Sequence, residues 1–156
     1  MLTFGAYKNG FHGDAARTYI VGENGIYQKL IDITKQSFFE GIKFAKPGYR
    51  VGDISHAIGE FVKKNGFSVV KEFQGHGVGK DLHEEPGIPN YGKEGKGIRL
   101  EPGMTLAIEP MVNEGGCEVE VLDNGWTIVT SDGSISAHYE NTILITEKEP
   151  EILTII

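Results

Sequence analysis

The 156-residue sequence has a single cysteine, Cys117. One thiol excludes an internal disulfide framework and a thiolate-rich zinc site, and it suits a reducing compartment such as the cytoplasm. Basic residues are also scarce: 15 Lys and Arg stand against 22 Asp and Glu, a net charge of −7. Non-specific binding to nucleic acid or an acidic membrane draws on clustered positive charge, so neither partner is expected. No apolar run approaches the ~20 residues of a membrane span. Met1-Leu2-Thr3-Phe4 has neither the charged nor the apolar region of a secretory signal. Repeats, low-complexity tracts and linkers are missing, and the length fits one domain over residues 1–156. What the chain has in excess is glycine, 22 residues, about twice the usual ~7%. Such a content implies tight turns or close backbone approaches.

The pattern of apolar residues predicts strands, then two helices, then strands. Residues 2–21 read as a hairpin: extended from 2 to 7, turning at Lys8-Asn9-Gly10, and extended again from 17 to 21. The polar cluster Phe11-His12-Gly13-Asp14 interrupts it. Ile26, Leu30, Ile33, Phe38 and Ile42 approximate helical spacing over 25–45, and Lys46-Pro47-Gly48 ends that run. Val51, Ile54, Ile58 and Val62 form one stripe of a second helix over about 52–64. A short strand at 67–70 and a long Gly/Pro-rich loop from 74 to about 102 follow. Strands are expected at 104–111, 117–122, 126–130 and 135–146, with turns at Asp123-Asn124-Gly125 and Ser131-Asp132-Gly133. This order implies an α+β fold with helices on one face of an antiparallel sheet.

Three segments carry unusual polar residues. Gly75-His76-Gly77-Val78-Gly79-Lys80-Asp81-Leu82-His83-Glu84-Glu85-Pro86 alternates glycines and holds two histidines seven residues apart. Its glycine spacing is wrong for a dinucleotide-binding turn, and its histidine spacing is wrong for a His-Glu-x-x-His zinc helix. Alone it also suits a surface loop. Glu109 sits in the apolar run Leu106-Ala107-Ile108-Glu109-Pro110-Met111, on an exposed edge or inside beside a cation or metal, since an unpaired buried carboxylate is costly. Glu140 repeats the situation. Alternation over 134–146 puts Ile135, Ala137, Tyr139, Ile143 and Ile145 on one face, and Ser136, His138, Glu140 and Thr142 on the other. Taken singly, Asp14, Glu109 and Glu140 each suit a solvent-facing strand residue.

Together, the blocks Asn9 to Thr18, Gly75 to Pro86, Pro102 to Val112 and Ser136 to Thr146 resemble the ordered motifs of the type I methionine aminopeptidases, metallopeptidases of the pita-bread fold. The resemblance spans nearly the whole chain and includes the intervals between Glu109, Trp126 and Glu140. It implies a binuclear metal site on Asp14, His76, Glu109 and Glu140. One imidazole and several carboxylates, with no thiolate, suit Mn, Fe(II), Co or Zn. The implied reaction removes the N-terminal methionine of nascent polypeptides: a metal-activated hydroxide attacks the first peptide bond. Glu109 then handles its proton, and His83 binds substrate and stabilises the developing oxyanion. Trp126 matches the aromatic residue at the methionine pocket, and Ser136 a monovalent-cation contact. X-Pro peptidases share the fold, but usually carry an arginine shortly before the final metal glutamate, where this chain has His138-Tyr139-Glu140.

Two departures qualify that expectation. The family's first aspartate ligand lies eleven residues before the position of Asp14, and counting back reaches Thr3. Of two metals in the family, one tight site is therefore expected here. The second keeps only the shared carboxylates of Asp14 and Glu140. Leu82 stands where the family commonly has an aromatic residue. The family's catalytic domain also has an upstream half, so the chain reads as an N-terminally truncated portion of it. That reading implies weak or absent activity alone, self-association, or a complementing upstream half. A non-catalytic metal- or peptide-binding remnant is the alternative.

Overall fold

The computed structural model describes residues 1–22 and 27–155. Its first hairpin turns on Asn9-Gly10, both at positive φ (53° and 87°), as a two-residue hairpin loop matched to strand twist requires. The chain therefore folds straight back, and β1 (Leu2–Lys8) pairs with β2 (Phe11–Arg17) in a register running from Lys8↔Phe11 to Leu2↔Arg17. The return strand is the polar cluster itself, not the predicted 17–21. Asp14 thereby lands on a central part of the ladder.

Helix α1 (Gln28–Ile42) buries Leu30, Phe38 and Ile42. Its predicted start at 25, with Ile26, lies outside the described residues. Helix α2 (Val51–Lys64) follows the predicted stripe and buries Val51, Ile54, Ile58 and Val62. Asp53 in its first turn accepts the backbone N–H of Arg50 at 2.7 Å and that of Gly95 at 2.6 Å. One carboxylate thus caps the helix and pins the loop beyond it.

Ten further strands complete the fold: β3 (Ser68–Val69), β4 (Gln74–Gly77), β5 (Glu84–Pro89), β6 (Thr105–Ile108), β7 (Met111–Asn113), β8 (Val119–Val121), β9 (Ile128–Thr130), β10 (Ser136–His138), β11 (Glu140–Leu144) and β12 (Glu151–Ile152). The main sheet runs β1-β2-β11-β6-β4-β5, with β12 also on β11; β10-β7-β3 and β8-β9 form smaller sheets. All of these pairings are antiparallel. Two predicted strands are each split: 104–111 breaks at Glu109-Pro110, and 135–146 breaks at Tyr139. The two breaks lie side by side, and the Tyr139 N–H donates to the Pro110 carbonyl at 3.2 Å. Here the first run passes from the large sheet to the small one, and the second from the small sheet to the large one.

Phe38, Ile42, Ile54 and Ile58 of the helices pack on Ile88, Leu106, Ile108 and Ile143 of the main sheet. Each such side chain contributes about 1.5–3 kcal/mol on full burial. Leu30 and Val62 form a second cluster with Val112 and Ala137 of the three-stranded sheet. The helices thus cover one face, as the sequence pattern predicts. Among the described residues, no helix is long and apolar enough to cross a membrane.

Candidate metal centre

The predicted 74–102 loop contains the hairpin that supplies His76. Its strand β4 lies so close to β6 on one side and to β5 on the other that only glycine fits. A Cβ on Gly75 would lie 2.3 Å from the Ala107 carbonyl oxygen, and one on Gly77 would lie 2.3 Å from that of Glu85. His76 is thereby held against β6, paired with Ala107. Its Nδ1 lies 2.8 Å from the Gly77 carbonyl oxygen. A proton there leaves Nε2 with a free lone pair directed away from the backbone.

Asp14, His76 and Glu140 are all buried, and one donor atom of each lies within 4.8 Å of the others. They come from three strands of the main sheet, β2, β4 and β11. Thr142 ties two of these strands: its Oγ1 accepts the Asp14 N–H at 2.9 Å and donates to the Asp14 carbonyl at 3.0 Å. Glu109, at the strand break, sets Oε1 3.5 Å from His76 Nε2 and Oε2 3.3 Å from His138 Nε2. Asn90 Nδ2 donates to the Glu109 carbonyl at 3.0 Å and steadies that break. Glu109, His138 and Glu140 make a second group of donors within 4.8 Å.

Electrostatics favour a cation at this point. Burial, then the charges of Glu109 and Asp14, push the Glu140 carboxyl up to about 9, with Arg17 acting in the opposite direction. Burial also raises Asp14 above its ordinary value. Glu140 Oε1 is buried with no hydrogen-bond partner. Carboxyl groups gathered this closely resist ionisation until positive charge joins them. An oxygen-rich set with one or two imidazoles fits a divalent first-row metal.

The other residues singled out by sequence are distributed unevenly. His83 lies on the β4–β5 turn, its ring centroid 4.3 Å from that of His76, and belongs to neither donor group. It lines a cavity of about 350 Å³ together with His76, Glu109, His138, Ser136 and Thr3. Val70, Phe73, Met111 and Ala137 add apolar wall, so the pocket is of small-ligand size. Trp126 does not join it: the side chain is 86% exposed at the tip of the β8–β9 hairpin. Only the strands of that hairpin, through Val119, Ile128 and Val129, reach the cavity. Leu82, half-buried, is outside the lining as well. Conversely, His138 belongs to the second donor group although its residue type alone does not single it out. The signal was its alternation in phase with Glu140.

Known proteins are similar to nearly the whole of this chain. The chain is 55% identical over 153 residues to a methionine aminopeptidase of Clostridium perfringens, covering 97% of this chain and 61% of that protein. It is 53% identical over 154 residues to methionine aminopeptidase 1 of Bacillus subtilis, covering 98% and 62%. The crystal structure of methionine aminopeptidase from Thermotoga maritima superposes with a TM-score of 0.95 at 54% identity, over 97% of this chain and 61% of that one. Over these residues the α+β architecture is therefore that of the pita-bread fold. The chain spans about three-fifths of the length of these relatives. The profile of metallopeptidase family M24 matches residues 1–147, and with its antiparallel sheet and buried His-carboxylate cluster the chain belongs to that family.

Proposed function

We propose that this chain carries the metal centre of a methionine aminopeptidase, a hydrolase acting on the N-terminal methionine of polypeptides. The observation that carries this reading is the convergence of buried Asp14, His76 and Glu140 within 4.8 Å, with Glu109 beside His76. A site for Mn, Fe(II), Co or Zn on these four residues accounts for the unpartnered Glu140 Oε1 and for the close packing of three carboxyl groups. Such ions supply a Lewis acid that polarises a carbonyl oxygen and acidifies water.

The protein's own groups do the rest. Glu109, on the cavity wall, takes and returns a proton as the amide bond is cleaved. His83 stands outside the donor groups and donates a hydrogen bond to the carbonyl oxygen as charge develops there. Val70, Phe73 and Met111 offer an apolar wall to an unbranched thioether side chain. Ser136 is assigned to a cation contact on resemblance alone, while Trp126, exposed at its hairpin tip, is left out of the methionine pocket. We read residues 1–156 as one catalytic portion. The remaining length of the relatives contributes further substrate contacts, either in the same polypeptide or as a complementing partner. Cys117, a free thiol, suits a cytoplasmic setting.

The test is methionine release from a Met-Ala-Ser peptide with Mn(II) or Co(II). Release that is lost on His76→Ala supports the reading. Tight metal binding without release under any metal favours the non-catalytic remnant, and no metal binding overturns the centre itself.

A further inference from the structure

Resting on that metal-centre reading, we propose that His138 is a metal ligand. With Glu109 and Glu140 it forms a second site for a first-row divalent cation, beside the one at Asp14 and His76. Thr3 offers no carboxylate to a second ion, and the shared Asp14 and Glu140 would hold it weakly. The structure places a nitrogen donor where that deficit lies.

Four observations converge on His138. Its donor atom and those of Glu109 and Glu140 lie within 4.8 Å of one another, a spread that small side-chain rotations close onto an ion at ~2.0–2.2 Å from each ligand. Glu109 spans two imidazoles, Oε1 toward His76 and Oε2 toward His138, as a carboxylate shared between two ions does. Glu140 belongs to both donor groups and supplies the second shared ligand. Finally, His138 Nε2 and Glu140 Oε1 are both buried without a hydrogen-bond partner. The 3.3 Å approach of Nε2 to Glu109 lacks hydrogen-bond geometry. His138 is 9% exposed and Glu140 2%, so each unpartnered atom carries a desolvation cost. One cation satisfies both.

The other ring nitrogen agrees. His138 Nδ1 lies 3.3 Å from Met1 Sδ, a weak acceptor. A proton on Nδ1 leaves the Nε2 lone pair facing the two carboxylates, as in His76.

The test is Co(II) titration of the full chain by calorimetry, with metal analysis and cobalt-edge X-ray absorption to count imidazoles. The expected result is two ions and two imidazoles per chain. His138→Gln, which keeps a polar side chain of similar length, and His138→Ala should retain the first ion and weaken the second at least about tenfold. One imidazole should disappear from the spectrum, with the circular dichroism unchanged. A second ion bound equally well by both variants overturns the proposal. So does a wild-type chain binding one ion with a spectrum unaltered by His138→Gln. His76→Ala separates the two readings. If it removes the first ion while the His138 variants behave as wild type, only this inference fails. A wild-type chain that binds no cobalt overturns both.

Discussion

Thr3 of β1 lies directly opposite Ala16 of β2, and Ala16 is in turn the cross-strand partner of Glu140. Directly opposed residues share a face, so Thr3, Ala16 and Glu140 form a row across three strands. The middle member is small, which leaves the outer two facing one another over a methyl group. Thr3→Asp therefore introduces a carboxylate along that row toward Glu140, on the wall of the cavity that His138 also lines. Second-ion affinity should rise about tenfold or more, because carboxylate count dominates the binding of hard and borderline ions. Calorimetric titration with Mn(II) measures it. An unchanged second affinity means that position 3 does not face the centre.

Metal removal should make stability fall with pH in a defined window. Glu140 is raised from 4.5 to about 9, and Asp14 is raised as well. At pH below 4.5 both folded and unfolded chains keep the Glu140 proton, and its contribution is intact. Between 4.5 and about 9 the unfolded chain loses that proton while the folded chain keeps it. Each such group then costs up to about 1.4 kcal/mol per pH unit. Above the folded value the loss is complete. Thermal melts of the chelator-treated chain should show Tm declining from weakly acidic to alkaline pH. Bound cations hold the carboxylates ionised, so the Tm gain on adding Mn(II) should grow with pH. A gain independent of pH over that window contradicts the burial argument for Glu140.

The hairpin carrying His76 should tolerate no side chain at Gly77. A Cβ there meets the Glu85 carbonyl carbon at 2.8 Å as well as its oxygen, and backbone cannot swing aside as a side-chain tip does. Gly77→Ala should cost about 1–3 kcal/mol or more and weaken the first metal ion by displacing His76. Gly5→Ala, where nothing lies within 4 Å of the added Cβ, should stay within about 0.5 kcal/mol. Denaturant midpoints of the two variants decide this. Equal midpoints would mean that β4 and β5 are not in close contact.

The same hairpin is hidden in the amino-acid sequence. Helix α2 and its stripe were legible because burial on one face imposes a 3.6-residue period. Strands β4 and β5 were not, because their pairing rests on missing side chains, and no period-2 alternation accompanies Gly75, Gly77 and Gly87. The long runs 104–111 and 135–146 look continuous because both halves of each are apolar. Only Pro110, which cannot donate to a ladder, hints at the first break, and nothing in the residue types marks Tyr139. Asp14, His76, Glu109 and Glu140 are singled out together only by the resemblance of their ordered motifs to a known family, which no single segment explains. His138 was visible in the alternation with Glu140, yet a strand histidine is so often merely solvated that chemistry alone did not select it. Trp126 shows the converse: its spacing matches a motif, while its side chain stands in solvent at a hairpin tip.

His83 offers the sharpest separation of metal binding from catalysis. It stacks near His76, with ring centroids 4.3 Å apart and planes inclined at 58°, yet is exposed and belongs to neither donor group. Its position at the cavity edge gives it access to a substrate carbonyl without a bond to metal. His83→Ala should therefore leave both ion affinities unchanged within about twofold, since no ligand is removed. Methionine release, measured with excess Mn(II), should fall about 10²–10³-fold, the usual loss for one oxyanion donor. The fall should appear mainly in kcat, because the bond strengthens only as charge develops on the oxygen. His83→Asn keeps an N–H donor on a shorter side chain and should recover part of the rate. Two results contradict this assignment. Loss of an ion in His83→Ala would make His83 a ligand, and a change confined to KM would make its contact one of ground-state binding.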